Sequence, residues 1–119
     1  MSRATPASSR TPDTRLITYG TLSPGRANHH ELSGLRGRWR QGTVRGRLFA
    51  AGWGAALGYP GLVLDPQGPV VEVHLLESPD LPDHWPRLDA FEGPGYRRVV
   101  TRVTTADGAL DAWIYEIIG

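Results

Sequence analysis

Residues 78–93, SPDLPDHWPRLDAFEG, decide the fold class, because they interrupt a chain that otherwise reads as strands. Leu81, Trp85, Leu88 and Phe91 recur at helical spacing. Two prolines stand in the way, and an interior proline costs a helix about 3 kcal/mol. With Asp83 as N-cap, Pro86 falls in the first turn, where its missing N–H is no loss. The segment therefore predicts a helix over 84–92, stopped by Gly93 and Pro94. Its final turn carries Glu92, an acid at the end where the helix dipole is negative, with Asp89 three positions back on the same face. Glu92 has two readings: an exposed glutamate whose penalty solvent screens, or a carboxyl raised toward a general base by negative surroundings and burial beside Phe91.

Strand patterns flank this helix. VVEVHLLE (70–77) alternates, with Val71, Val73 and Leu75 on one face and Glu72, His74 and Leu76 on the other. YRRVVTRVTT (96–105) and ALDAWIYEII (109–118) are β-rich runs joined by Ala106-Asp107-Gly108, a hairpin signal. Toward the N-terminus, Leu16–Tyr19 predicts a first strand closed by Gly20. Asn28 is an N-cap for a short helix ending at Gly34. Residues 35–50 predict a long strand bent at Gly42 and Gly46, and LVLD (62–65) a short one. Between them, 50–61 is a glycine-rich loop with Trp53 and Tyr59 as anchors. The implied class is α+β with a sheet curled into a barrel. One domain spans 15–119, and residues 1–14 read as a disordered tail.

Composition narrows the function classes. The 119 residues contain no cysteine, which excludes a thiol nucleophile, a disulfide scaffold and cysteine-ligated metal. No apolar run approaches the roughly 20 residues that span a bilayer, and the first fourteen lack a secretory core, so a soluble cytoplasmic protein without a membrane partner is expected. Net charge is only +1, and all 13 basic residues are arginine. Arg36, Arg38, Arg40, Arg45 and Arg47 cluster with strand periodicity, which reads as a solvated strand face and not a nucleic-acid surface. His29 and His30 are adjacent and point apart, so no metal site is expected. Ser23 lacks the setting of a hydrolase elbow.

The loop YGTLSPG (19–25) stays open between a turn joining two elements and a cradle of backbone N–H groups for an oxygen.

Three stretches, YGTLSPGRANHHEL (19–32), GYPGLVLD (58–65) and LDAFEGPGYRRVVTRV (88–103), together resemble the gamma-glutamylcyclotransferase family. That family includes the gamma-glutamylamine cyclotransferases and the plant avirulence-induced-like proteins. The resemblance runs from about Leu16 to Tyr115. It implies a small mixed β barrel with two helices and a side cavity. It implies release of 5-oxoproline from a gamma-glutamyl amine or amide, by attack of the substrate's own alpha-amino group on its gamma-carbonyl. On the matching positions, Glu92 is the general acid/base. Tyr19, Gly20, Thr21 and Leu22 form the substrate loop, and Tyr96 and Tyr115 line the cavity. The partner implied is a small gamma-glutamyl substrate, with no cofactor required. Many relatives carry Gly-Glu-Val-Tyr where this chain has Val71-Glu72-Val73-His74, so a binding protein that keeps the cavity without turnover is the competing expectation. Glu72 is the rival carboxylate, in a supporting role, and His74 reads as a surface or edge-strand residue.

Overall fold

The computed structural model describes residues 12–20, 23–26, 29–49 and 61–118. Six strands and two helices follow in the order β1 (Arg15–Thr18), α1 (His30–Ser33), β2 (Arg38–Phe49), β3 (Gly61–Leu64), β4 (Val70–Glu77), α2 (Trp85–Glu92), β5 (Tyr96–Thr105) and β6 (Gly108–Ile117). The sheet order is β3-β2-β4-β1-β6-β5, and a further pairing of β2 with β5 at Thr43–Thr104 closes five strands into a barrel. The barrel is mixed: β1 runs parallel to β6 and antiparallel to β4. The long strand β2 changes partner along its length, facing β4 over Arg38–Arg45 and β3 over Gly46–Phe49.

Alternation along the strands sorts the apolar residues into two clusters. Ile17, Val44, Val73, Leu75, Val103, Ala112 and Ile114 fill the barrel with Leu62. Residues of opposite parity, Leu16, Leu76 and Tyr115, face outward and are covered by Leu32 of α1 and by Leu81, Trp85 and Leu88. The chain thus buries both faces of its central strands, which is why VVEVHLLE carries leucines on both.

Glycine is required where the barrel closes. A Cβ built on Gly42 would lie 2.8 Å from Val103 Cγ2 and 2.9 Å from the Thr104 carbonyl oxygen. Gly42→Ala is expected to cost about 1–3 kcal/mol through overpacking, read as a lower denaturation midpoint. An unchanged midpoint would show that the seam is loose.

Helix α2 begins with Pro86 in its first turn and ends on Gly93 at φ 80°, as its sequence predicts. Its N-cap is His84, not Asp83, because Leu81–Asp83 form a separate 3-10 turn ahead of it. Phe91 departs from expectation: it is exposed, so the apolar stripe of the helix stops at Leu88. In α1, His29 holds the N-cap position, while Asn28 lies outside the described residues. The same holds for Thr21, Leu22, Trp53, Tyr59 and residues 1–11. The expected tail boundary at residue 14 falls within ordered structure: Pro12–Thr14 form a 3-10 turn, and Asp13 accepts bonds from both the Trp85 and Trp113 indoles.

The arginine cluster is wholly engaged. Arg36 pairs with Asp80, Arg38 with Glu77, Arg40 with Glu77 and Asp107, Arg47 with Asp65, and Arg45 donates to the Gly68 carbonyl. No helix among the described residues is long and apolar enough to cross a membrane.

Candidate active site

The loop after β1 is tied down on both sides. Ser23 N–H donates to the Gly20 carbonyl at 3.0 Å, and the buried Ser23 hydroxyl donates to Thr18 Oγ1 at 2.8 Å. Gly25 takes φ 79°, a conformation open to glycine at little cost, and lets the chain turn back toward α1. Tyr19 continues the inward parity of Ile17, and its hydroxyl sits between two strands. It donates to the Tyr115 carbonyl at 2.6 Å and accepts the Leu62 N–H at 3.2 Å. Burial pushes this phenol well above its ordinary range. The Leu62 N–H opposes that shift, whereas Tyr96, Glu92 and Glu116 add to it. The first residue of the loop therefore pins the loop's entry to β3 and β6.

Glu92 comes to the same place from α2. It is partly buried and has no ion pair or hydrogen bond among the described residues. Burial alone pushes its carboxyl from the usual range up to about 7. Its charge is felt by both Tyr19 and Tyr115, so it lies within electrostatic reach of the loop and of β6. The cause differs from the expectation in two respects. Phe91 does not enclose it, and Asp89 does not add its charge.

Asp89, one turn earlier, is occupied elsewhere. Arg98 of β5 holds it through Nε at 2.8 Å and Nη2 at 3.2 Å, and the Tyr115 hydroxyl donates to it at 2.7 Å. These bonds hold the Asp89 carboxyl below its ordinary value. Arg98 in turn lies over two indole rings, 4.4 Å from the centroid of Trp85 and 4.3 Å from that of Trp113. Two carboxylates on one short helix are thus driven apart, one ionised by partners and one held near neutrality by burial, which is how acid/base roles divide.

Of the site residues named from sequence, Tyr19, Glu92, Tyr96 and Tyr115 come together. Tyr96 lies within electrostatic reach of Tyr19 and packs against the outer cluster. Gly20 is present with its carbonyl used in the turn, while Thr21 and Leu22 lie outside the described residues. Tyr115 faces outward, and its hydroxyl is bound to Asp89 and not free in a cavity.

Sequence reasoning missed Glu116. This buried carboxylate accepts the Leu64 N–H at 2.7 Å and pairs with Arg97 at 3.0 Å, and Tyr19 feels its charge. The signal was available: Glu116 shares the parity of Ile114, so it is an acid on an inward face.

A cavity of about 560 Å³ adjoins the loop, lined by Tyr19, Ser23 and Arg26 on one side and Gln41, Glu72, His74 and Thr104 on others. His74 belongs to a strand flanked by β1 and β2, so it is neither an edge-strand residue nor isolated at the surface. Glu72 shares that wall and does not approach Glu92 through any bond. His29 stacks on the Trp39 ring at 5.3 Å, and His30 lies 3.2 Å from Glu31.

The fold and its sequence have relatives. A structure of YkqA from Bacillus subtilis superimposes with a TM-score of 0.69 at 30% identity, over 87% of this chain and 35% of that one. The chain thus spans about a third of that relative's length. An AIG2-like protein from Mus musculus aligns at a TM-score of 0.65 and 23% identity, over 87% of this chain and 76% of that one. PH0828 from Pyrococcus horikoshii gives 0.63 and 24%, over 87% and 77%. A search of curated proteins found no match. Residues 16–119 match the family described as Gamma-glutamyl cyclotransferase, AIG2-like, and this chain, with its mixed barrel and Glu92 beside the Tyr19 loop, belongs to that family.

Proposed function

We propose that the protein releases 5-oxoproline from a gamma-glutamyl amine or amide, with Glu92 as general acid/base. The observation that carries this reading is the partly buried Glu92 carboxyl, unpaired among the described residues, raised by burial to about 7 and within electrostatic reach of Tyr19. The substrate's alpha-amino nitrogen attacks its own gamma-carbonyl carbon, closing a five-membered ring. Glu92 accepts the proton that the attacking nitrogen loses. When the bond from the gamma-carbon to the leaving nitrogen breaks, the same carboxyl returns that proton, and the products are 5-oxoproline and a free amine.

One carboxyl suffices because the reaction is intramolecular. Holding the chain in a ring-closing pose is worth roughly 7–11 kcal/mol. Backbone N–H groups of Gly20, Thr21 and Leu22 are assigned to the oxyanion, where each donor is typically worth about 3–4 kcal/mol. Tyr19, Tyr96 and Tyr115 are assigned to the wall around Glu92. Burial keeps the Tyr19 and Tyr115 phenols protonated, so they add no negative charge near the base.

The test is a panel of gamma-glutamyl amines and gamma-glutamyl amino acids, with 5-oxoproline measured directly. Product with any member supports the reaction. Tight binding without product would instead identify a binding protein. The pH dependence carries a sign: Glu92 must be ionised to accept the proton, so kcat/KM should fall about tenfold per unit as pH drops below about 7. A profile flat from pH 7 to pH 5 would remove Glu92 from the role.

A further inference from the structure

Arg98 makes no bond to Glu92, yet two aromatic rings and one carboxylate hold it in place. Its guanidinium lies over the rings of both Trp85 at the start of α2 and Trp113 of β6, whose centroids are 6.2 Å apart. It binds both oxygens of Asp89, and Asp89 Oδ1 accepts the Tyr115 hydroxyl. Tyr115 then offers its backbone carbonyl to the Tyr19 hydroxyl. A continuous path of bonds thus runs from α2 through Asp89 and Tyr115 to the loop at Tyr19. Glu92 is one helical turn from Asp89, where side chains three apart are neighbours.

We propose that Arg98 is a positioning residue for Glu92: its fork turns Asp89 onto β5 and β6, so that Glu92 is the one carboxyl of α2 left facing the loop. The proposal rests on the reading of Glu92 as the acid/base, but its geometry can be tested apart from turnover. Charge and shape both matter. A lysine in place of Arg98 keeps the charge and loses the planar fork and the stacking on two indoles. A methionine loses the charge as well and leaves Asp89 uncompensated within a turn of Glu92. A like charge so placed disfavours ionisation of Glu92. The titratable groups within electrostatic reach of Glu92 among the described residues are Tyr19 from the loop after β1 and Tyr115 from β6, with Asp89 one turn away on its own helix. Both phenols are held neutral by burial, so Asp89 is the group whose charge state the clamp controls.

The experiment is a 13C NMR titration of the Glu92 carboxyl, assigned with Glu92→Gln, alongside the pH profile of 5-oxoproline release. Both are carried out on full-length wild type, Arg98→Met, Arg98→Lys and Arg98→Met/Asp89→Asn. In Arg98→Met the Glu92 midpoint should move up by about half a pH unit or more, and kcat should fall at least about tenfold while KM changes little. Adding Asp89→Asn should return the midpoint toward the wild-type value, a rescue that a merely structural role of Arg98 does not provide. Arg98→Lys should keep the midpoint nearer wild type and still lose kcat through the missing fork. An unmoved midpoint in folded Arg98→Met, or a shift that Asp89→Asn leaves in place, overturns the proposal. If Arg98→Met does not fold, Arg98→Lys decides: it keeps the charge and loses the fork, so kcat should fall with KM nearly constant, and an unchanged kcat overturns the proposal. Absence of product from wild type would sink the cyclotransferase reading, and the NMR midpoints would still decide the clamp.

Discussion

Glu92→Gln is expected to lower 5-oxoproline release by about 10²–10⁴-fold, with the fold intact. The substitution is nearly isosteric, and because Glu92 has no ion pair among the described residues, no partner there is orphaned. Stability should change in the opposite sense. In wild type the folded state holds the Glu92 proton up to about pH 7, whereas the unfolded chain releases it near 4.5. The stabilisation from that bound proton is complete below the unfolded value and is lost as pH rises through 7. Glutamine carries no such penalty, so above pH 7 the variant should denature at a higher temperature than wild type, and below pH 4 the two should coincide. Lost activity with gained stability is the signature of a residue kept for chemistry. Full activity in the variant would reassign the base, with Glu116, whose charge Tyr19 also feels, then the carboxylate to examine.

Leu88→Ala is expected to cost about 2–5 kcal/mol, measured by chemical denaturation. Leu88 is completely buried against Leu81, Trp85 and the outward residues of β1 and β4. Helix α2 has only 8 residues, too short to persist without packing. Its other anchors are Trp85 at its start and the Asp89–Arg98 pair. Losing Leu88 would therefore loosen the turn that carries Glu92, and kcat should fall even where the variant remains folded. A loss below about 1 kcal/mol would mean that the Trp85–Arg98–Trp113 stack holds the helix unaided.

Much of this was legible in the chain because period and punctuation agreed. Leu81, Trp85 and Leu88 gave the helix, Pro86 and Gly93 gave its ends, and Asp107-Gly108 gave the last hairpin. Glu92 was singled out because its position defies the helix dipole, and the structure supplies burial as the physical compensation for holding it neutral. What stayed hidden depends on contacts that sequence spacing does not encode. Phe91 fits the helical stripe, but it packs against neither apolar cluster and stays exposed. Asp89 looked like a second negative charge beside Glu92, and only tertiary pairing with Arg98 and Tyr115 removes it. His74 looked peripheral because nothing in VVEVHLLE says that the strand lies between two others.

The parallel contact between β1 and β6 has a consequence for biosynthesis. Leu16 pairs with Trp113 and Ile17 with Ile114, while the opposite edge of β1 pairs with β4. A ribosome delivers the first strand long before either neighbour, so the apolar LIT segment of the nascent chain has neither edge paired until β4 is made, and its β6 edge waits for the final hairpin. Such distant pairings fold slowly and leave exposed strand edges open to aggregation. The barrel can therefore close only once β6 has been made, and the yield of folded protein will depend on how well the cell shields that early segment.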